Sequence, residues 1–337
     1  MTLRCVVLTF AALLCIPTLG QERQTVTFET RDGVEIFGDY FAPQSGGSPV
    51  VILLHMYRSN RSAWRPLVPA LHKAGFAVLA IDLRGHGESL HPSPMQLARR
   101  VGDRDETVFG AMHRDVAAAY VFLDGRRKVD MSRVALVGAS VGCSVAIDYA
   151  ARDRSVDVVV CMTPGVKYLG VDSTGHIRKY GKRPILLLAT SDERQACDTL
   201  GAVNPSATAA IVGSGRIHGT RMFGKIKGIE KRIVSFLLEH IGEYSQTPVA
   251  AAIDGDEYFA FGSREHMDVP PDDVRWFSTI EEARGRGLSG PDSPYEGRIG
   301  DFPLQREFEV RPYSSPPRVP PWLKRKAPPQ QDDDQDP

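Results

Sequence analysis

Short apolar runs recur along the chain up to Ile241, and a polar or glycine-rich segment follows each of them. Apolar runs of this length without alternation are typical of parallel strands that are buried on both faces. The runs that we interpret as central strands are Val50–Leu54, Phe76–Ile81, Val134–Val137, Val156–Cys161, Pro184–Thr190 and Ala209–Val212.

Segments with apolar residues at helical spacing separate these strands. The predicted helices are Ser62–Ala74, Thr107–Leu123, Ser144–Ala150 and Met222–Ile241. Alternating strands and helices predict the α/β class, with a doubly wound and mostly parallel sheet. Ahead of them, Thr25–Glu29 and Val34–Phe41 predict two strands joined by a turn at Asp32-Gly33.

The composition changes along the chain and suggests four parts. We expect a signal peptide at 1–20, the main domain at 21–242, a small α+β region of unknown role at 243–311, and a Pro-rich, acidic, disordered tail at 312–337. Within the third part, Tyr258–Phe261 predicts a strand. Ser278–Arg284 predicts a short helix with Ser278 and Glu281 at capping-box positions.

The N-terminus has the features of a secretory signal. Arg4 precedes an apolar stretch from Cys5 to Ile16, and small residues lead to Gly20. A membrane anchor is the alternative, but the stretch is shorter than the roughly 20 residues that a spanning helix needs. We therefore expect cleavage near Gly20, export to the periplasm or the medium, and no stable membrane span afterwards.

Charge and cysteine content exclude some classes of partner. The 337 residues include 41 basic and 41 acidic side chains, so nothing indicates nucleic-acid binding. Three cysteines remain after signal cleavage, Cys143, Cys161 and Cys197, which allow at most one disulfide and lack the spacing of a metal site. We expect neither a metal nor an organic cofactor, and the oligomeric state is left open.

The segment Gly138-Ala139-Ser140-Val141-Gly142 is the clearest candidate for catalytic chemistry. It joins the predicted strand Val134–Val137 to the helix that begins near Ser144. A serine on such a tight strand-to-helix turn needs small residues two positions before and after it, and the two glycines meet that need. Ser140 is therefore the candidate nucleophile.

Candidates for its partners follow the next strands. Asp192, Glu193 and Asp198 come after the run Pro184–Thr190, and we favour Asp192 because it is the first acid after the strand. His218 lies after Ala209–Val212, in a segment with glycines on both sides of it. The order serine, acid, histidine is that of the α/β-hydrolases, and carboxyl ends of strands are where such sheets gather active sites.

Together these motifs resemble those of the α/β-hydrolase superfamily, most closely its dienelactone-hydrolase-like and esterase-like members. The matching residues lie at His55–Tyr57, Asp82–Ser89, Ser140, Asp192 and His218-Gly219. The resemblance implies that Ser140 is the nucleophile, His218 the general base and Asp192 the orienting carboxylate. By position in that fold, the oxyanion hole consists of the backbone N–H groups of Tyr57 and Val141. Many relatives have glycine where this chain has Met56.

Other polar residues near these motifs have interpretations that involve no catalytic role. We expect His55 and His86 to be structural, and Asp82 to pair locally. Arg58 and Arg61 lie close to the predicted oxyanion loop, where they would either bind an anionic substrate or form a solvated face.

The function predicted from the sequence is an exported serine hydrolase of small carboxylic esters. The segment between Leu90 and Asp105 would form a partial cover over its site. An amidase or peptidase of the same fold is one alternative. A non-catalytic binding protein that recognises its partner through the region after Tyr244 is the other.

Overall fold

A computed structural model describes residues 23–126, 128–241, 249–252, 254–260, 269, 274–277 and 280–291. The predicted signal peptide and tail lie outside these residues, and the four domain boundaries stay predictions. The strands of the main sheet are β1 (Arg23–Glu29), β2 (Glu35–Phe41), β3 (Ser48–Leu54), β4 (Ala77–Ile81), β5 (Val129–Ala139), β6 (Val156–Met162), β7 (Ile185–Ala189) and β8 (Ala207–Ile211).

These eight strands form one sheet in the order β1-β2-β4-β3-β5-β6-β7-β8. The six strands from β4 to β8 in that order are parallel, whereas β2 is antiparallel to both β1 and β4. The predicted doubly wound, mostly parallel sheet is confirmed. The Asp32-Gly33 turn also joins β1 and β2 as predicted, with Gly33 at a φ of 79°.

Helices connect the strands and cover both faces of the sheet. Those of the main domain are α1 (Val68–Lys73), α2 (Pro94–Gly102), α3 (Glu106–Gly110), α4 (His113–Asp124), α5 (Val141–Arg152), α6 (Ser173–Tyr180), α7 (Gln195–Val203) and α8 (Ile229–His240). Three short 3₁₀ turns complete the domain, at Arg61–Trp64, Ser191–Glu193 and Gly219–Met222. Among the described residues, no helix combines the length and apolarity needed to cross a bilayer.

Several predicted helices are shorter than expected, and the breaks have local causes. The predicted Ser62–Ala74 helix is a 3₁₀ turn followed by α1, because Pro66 and Pro69 cannot donate backbone hydrogen bonds. The last helix begins at Ile229 rather than Met222, since Gly224 and Gly228 have left-handed φ values of 74° and 78°.

Two other regions differ from the prediction in the number of helices. The predicted helix from Thr107 to Leu123 is divided into α3 and α4. Helices α2 and α6 were not predicted, because both segments are polar. Pro94 is the first residue of α2, a position where its missing N–H is not needed.

Alternate residues of the central strands enter two separate cores. Val50, Ile52 and Leu54 of β3 pack on the face covered by α4 to α7. Val51 and Leu53 pack on the opposite face, beneath α1 and α8. Burial on both faces explains why these strands are uniformly apolar. The sheet therefore presents a rigid carboxyl edge on which polar loops can be positioned.

A small antiparallel sheet lies in the C-terminal region. Its strands are β9 (Val249–Ala252), β10 (Tyr258–Ala260) and β11 (Val274–Phe277), in the order β10-β9-β11, and helix α9 (Ile280–Gly285) follows. The structure confirms the predicted strand at Tyr258 and a helix close to the predicted one. The capping-box residue Ser278 lies outside the described residues. The core of this small sheet and its helix consists of Val249, Ala251, Tyr258, Phe277, Ile280, Ala283 and Leu288.

Candidate active site

Ser140 stands alone on the turn between β5 and α5. Its φ of 54° and ψ of −120° are unusual for a residue other than glycine. The backbone N–H of Ser140 donates to the Met162 carbonyl at the end of β6, at 2.9 Å. The residue is 2% exposed. A strained, fixed backbone thus holds the hydroxyl at the carboxyl edge of the sheet.

Two glycines allow this turn because the backbones around it are nearly in contact. A Cβ on Gly138 would lie 2.3 Å from the Gly142 carbonyl oxygen. A Cβ on Gly142 would lie 2.2 Å from the carbonyl oxygen of Leu54, the last residue of β3. The first turn of α5 therefore rests directly on the end of β3. This contact brings Ser140 next to the loop that begins at His55.

The loop after β8 carries His218 back to the same edge. The N–H of Gly219, the next residue, donates to Thr163 Oγ1 at 2.7 Å. A Cβ on Gly219 would lie 3.4 Å from the Cβ of Ala139. The residues next to His218 and Ser140 are thus close neighbours, which places the predicted base and nucleophile on the same edge of the sheet. The ring of Tyr168 lies 6.4 Å from that of His218.

The carboxylate that contacts His218 is Glu193, and the prediction of Asp192 is not supported by the geometry. Glu193 Oε1 lies 2.7 Å from His218 Nδ1. Asp192 is exposed, and its Oδ1 accepts from Ser191 Oγ at 2.6 Å. The third candidate, Asp198, pairs with Arg194 on the surface of α7.

The 3₁₀ turn at Ser191–Glu193 explains the difference. Successive residues in a 3₁₀ turn point about 120° apart, so adjacent side chains cannot face the same partner. Asp192 therefore faces solvent and Glu193 faces the histidine loop. Because an ionised carboxylate only accepts hydrogen bonds, His218 carries its proton on Nδ1. The other ring nitrogen, Nε2, is left as a proton acceptor.

The two backbone N–H groups of the predicted oxyanion hole lie on separate elements. Val141 is the first residue of α5, where N–H groups have no intrahelical acceptor. Tyr57 follows the end of β3, against which Gly142 packs. Neither N–H donates to another residue in the described part of the chain. Both N–H groups thus remain available as donors, that of Val141 at the Ser140 turn and that of Tyr57 in the loop after β3.

Met56, where many relatives have glycine, packs beneath the histidine loop. Its Sδ would lie 3.0 Å from a Cβ on Gly219 and accepts from Thr220 Oγ1 at 3.8 Å. The left-handed backbone conformation in this loop falls on Arg58, with a φ of 55°. The methionine is therefore compatible with the loop and adds a contact to the histidine segment.

His55 and His86 are structural, as predicted. His55 is fully buried, donates from Nδ1 to the Met56 carbonyl at 2.8 Å and accepts at Nε2 from the Leu83 N–H at 3.0 Å. Burial lowers the pKa of His55 to about 4 and that of His86 to about 3. Both rings therefore remain neutral and support the loops around Tyr57.

Arg61 belongs to a buried ion cluster and not to a substrate surface. Its guanidinium lies 3.0 Å from Asp39 and also pairs with Asp82 and Glu88. The local pairing predicted for Asp82 is confirmed. Arg58, in contrast, is exposed. The two arginines that were considered together from the sequence thus have different roles.

The three cysteines of the main domain are free and buried. Cys143 Sγ donates to the Gly138 and Met162 carbonyls, each at 3.3 Å, beneath the Ser140 turn. Burial raises the pKa of the Cys143 thiol well above its usual range. These thiols therefore pack as small buried residues, as expected for Cys143 and Cys161.

Comparison with known proteins agrees with this architecture. Residues 49–179 match the family model described as the alpha/beta hydrolase fold. An esterase of Pyrococcus furiosus aligns with a TM-score of 0.53 at 22% identity, covering 66% of this chain and 94% of the esterase. A dienelactone hydrolase of Anabaena variabilis aligns with a TM-score of 0.53 at 17% identity, covering 65% and 98%. The predicted resemblance to the α/β-hydrolase fold is confirmed.

Sequence relatives match over shorter segments. An uncharacterized protein of Mycobacterium tuberculosis is 36% identical over 129 residues, which are 38% of this chain and 41% of that protein. A pig bifunctional epoxide hydrolase 2 is 42% identical over 53 residues, or 16% of this chain and 10% of that protein. The chain thus spans about two fifths or less of these relatives.

Proposed function

We propose that this chain is an exported serine hydrolase that cleaves small carboxylic esters through an acyl-enzyme on Ser140. One observation carries the proposal. The hydrogen bond from His218 to Glu193 lies beside a strained serine turn whose neighbours contact the histidine loop. A nucleophile, a base and a group that orients the base are the parts that acyl transfer by serine requires.

Each residue has one task in the proposed reaction. His218 Nε2 accepts the Ser140 proton as Oγ attacks the ester carbonyl, and then donates it to the leaving alcohol. Glu193 fixes the ring tautomer and stabilises the imidazolium that forms. Water then attacks the acyl-enzyme with His218 again as the base, releasing the acid and restoring Ser140.

The backbone N–H groups of Tyr57 and Val141 would stabilise the tetrahedral oxyanion. They lie on separate elements, the loop after β3 and the first turn of α5, which Gly142 holds in contact. Losing one such donor in a serine hydrolase costs roughly 3–4 kcal/mol of transition-state stabilisation.

A small substrate is favoured by the position of α2. The Tyr57 hydroxyl donates to the Val101 carbonyl near the end of α2, at 3.2 Å. This bond holds part of the segment predicted to cover the site against the proposed oxyanion loop. A bulky acyl chain or a long peptide would have to displace it.

The test is labelling of the purified protein by a fluorophosphonate, with titration of the acid released from short-chain esters in parallel. We expect wild type and Ser214→Ala to react, since Ser214 is an exposed serine of the histidine loop. We expect Ser140→Ala and His218→Ala to lose both labelling and turnover. Ester turnover by folded Ser140→Ala at the wild-type rate would contradict the proposal.

Export has its own test. The apolar stretch Cys5–Ile16 and the small residues before Gln21 support cleavage near Gly20. We expect the mature protein to begin at or close to Gln21 when the full chain is expressed in its natural host. Intact Met1 or an unprocessed mass in the cell fraction would contradict export.

A further inference from the structure

We infer that Thr163, at the end of β6, is the positioning residue that holds nucleophile, base and acid in one arrangement. The inference deepens the proposed function and rests on it. Thr163 is 1% exposed and has a φ of 53°. A left-handed conformation is rare for a β-branched residue and is kept only where the surroundings require it.

The Thr163 hydroxyl links the serine turn to the histidine loop. Its Oγ1 accepts from the Gly219 N–H at 2.7 Å and donates to the Met162 carbonyl at 2.7 Å. That carbonyl also accepts the Ser140 N–H, at 2.9 Å. A continuous chain of hydrogen bonds therefore runs from the residue after the base to the backbone of the nucleophile.

The backbone of Thr163 ties in the strand that carries the acid. Its N–H donates to the Leu188 carbonyl at 2.7 Å, near the end of β7. The 3₁₀ turn with Glu193 begins shortly after that strand. One residue thus contacts all three segments on which the site depends. The left-handed φ is the conformation in which it makes the three contacts together.

The hydroxyl is the part of Thr163 that a substitution can remove without changing its shape. Thr163→Val would leave the Gly219 N–H without its acceptor and the Met162 carbonyl with one donor fewer. The histidine loop would then lose its hydrogen bond to the end of β6, and with it a restraint on the position of His218. A displacement of about 1 Å at a catalytic group typically costs on the order of 100-fold in rate.

The chain offers a matched control in Thr190. This threonine, just after β7, is fully buried, and its hydroxyl makes no hydrogen bond within the described residues. Thr190→Val removes a buried hydroxyl from the same edge of the sheet without breaking a bond. Thr163→Ser, in turn, keeps the hydroxyl and removes only the methyl group.

The experiment measures kcat and KM for a short-chain ester and the fluorophosphonate labelling rate in these three variants. We expect Thr163→Val to lower kcat and labelling by about 10- to 100-fold with little change in KM. Thr163→Ser should recover most of the loss, and Thr190→Val should match wild type. Wild-type kcat in folded Thr163→Val, or equal loss in the valine and serine variants, would overturn the inference.

Amide hydrogen exchange tests the hydrogen bond between the Gly219 N–H and Thr163 Oγ1 even if Thr163→Val does not fold. In the wild type we expect the Gly219 amide to exchange slowly, because its N–H is bonded to a buried hydroxyl. Exchange at the rate of an open loop would overturn the inference. A protected Gly219 in a protein that neither labels nor turns over esters would instead contradict the proposed function.

Discussion

Glu193 and Asp192 are adjacent, yet only Glu193 reaches His218, with Oε1 at 2.7 Å from Nδ1. Removing the negative charge of the orienting group in a serine triad costs about a thousandfold or more in kcat. We therefore expect Glu193→Gln to lose ester turnover to that extent, measured by initial rates on a short-chain ester. Asp192→Asn, the matched control on the exposed side of the same turn, should keep wild-type activity. Loss of turnover in Asp192→Asn but not in Glu193→Gln would instead identify Asp192 as the orienting carboxylate.

Gly142 has no room for a side chain, whereas Gly201 in α7 has open space around it. An added Cβ at Gly142 would lie 2.2 Å from the Leu54 carbonyl oxygen, and one at Gly201 would meet nothing within 4 Å. We expect Gly142→Ala to destabilise the fold by about 3 kcal/mol or more. Gly201→Ala should stabilise it by up to about 1 kcal/mol. Urea unfolding measures both, and equal stability of the two variants would contradict the contact with β3.

Arg58 and Arg104 place two positive charges beside Tyr57, in the proposed oxyanion loop. Their guanidinium carbons lie 5.2 and 5.9 Å from the centre of the Tyr57 ring. Both side chains are exposed and have no ion-pair partner among the described residues. The carboxylates beside Arg104 are engaged elsewhere, since Asp103 pairs with Arg99 and Asp105 with Arg100. An anionic ester bound near Tyr57 would therefore meet two cations that no carboxylate of the described residues neutralises.

We expect this pair to favour esters that carry a carboxylate. The measurement compares kcat/KM for monomethyl adipate with that for its neutral analogue methyl adipamate, by titration of released acid. In Arg58→Gln/Arg104→Gln the anionic-to-neutral ratio should fall about tenfold. Arg178→Gln, which removes an exposed charge from α6, should keep the wild-type ratio. The same anionic-to-neutral ratio in the wild type and in the double variant would contradict the expectation.

Buried His86 predicts a loss of stability in acid. Its pKa is lowered from 6.5 to about 3, so between these values the unfolded chain binds a proton that the folded chain does not. Stability therefore falls as the pH drops below 6.5. We expect His86→Phe, which keeps an aromatic ring beside Tyr57 and Phe109, to remove about 3 kcal/mol of the loss between pH 7 and pH 4. Urea unfolding at both pH values measures it. An equal loss of unfolding free energy in the wild type and in His86→Phe would contradict a buried, neutral His86 ring.

The strands and the Ser140 turn could be predicted because their patterns are local. Val50–Leu54 is apolar at every position because both faces of β3 are buried, and that shows directly in the sequence. The glycines around Ser140 are required by contacts with backbone atoms. Such constraints leave little choice of residue, so the strands and the serine turn can be recognised in the sequence.

The choice between Asp192 and Glu193 depended on geometry that the pattern does not record. Both are acidic and follow the same strand, and only the 3₁₀ turn decides which of them faces His218. Thr163 was missed for a related reason. A polar residue just after the apolar strand β6 was a visible signal, but its contact with Gly219 joins residues far apart in sequence. Helices α2 and α6 were missed because both segments are mostly polar, so the few apolar residues that mark their buried faces, such as Val101 in α2 and Ile177 in α6, do not stand out in the sequence.

The contact between Gly142 and the end of β3 has a consequence for how this scaffold can change. Main-chain atoms hold the serine turn in place: carbonyl oxygens at Leu54, Gly142 and Met162, and the N–H of Ser140. Exposed side chains around Tyr57, such as Arg58 and Arg104, take no part in that support. Substrate preference can therefore be redesigned, or can drift in evolution, at these exposed positions while the reactive hydroxyl stays where it is.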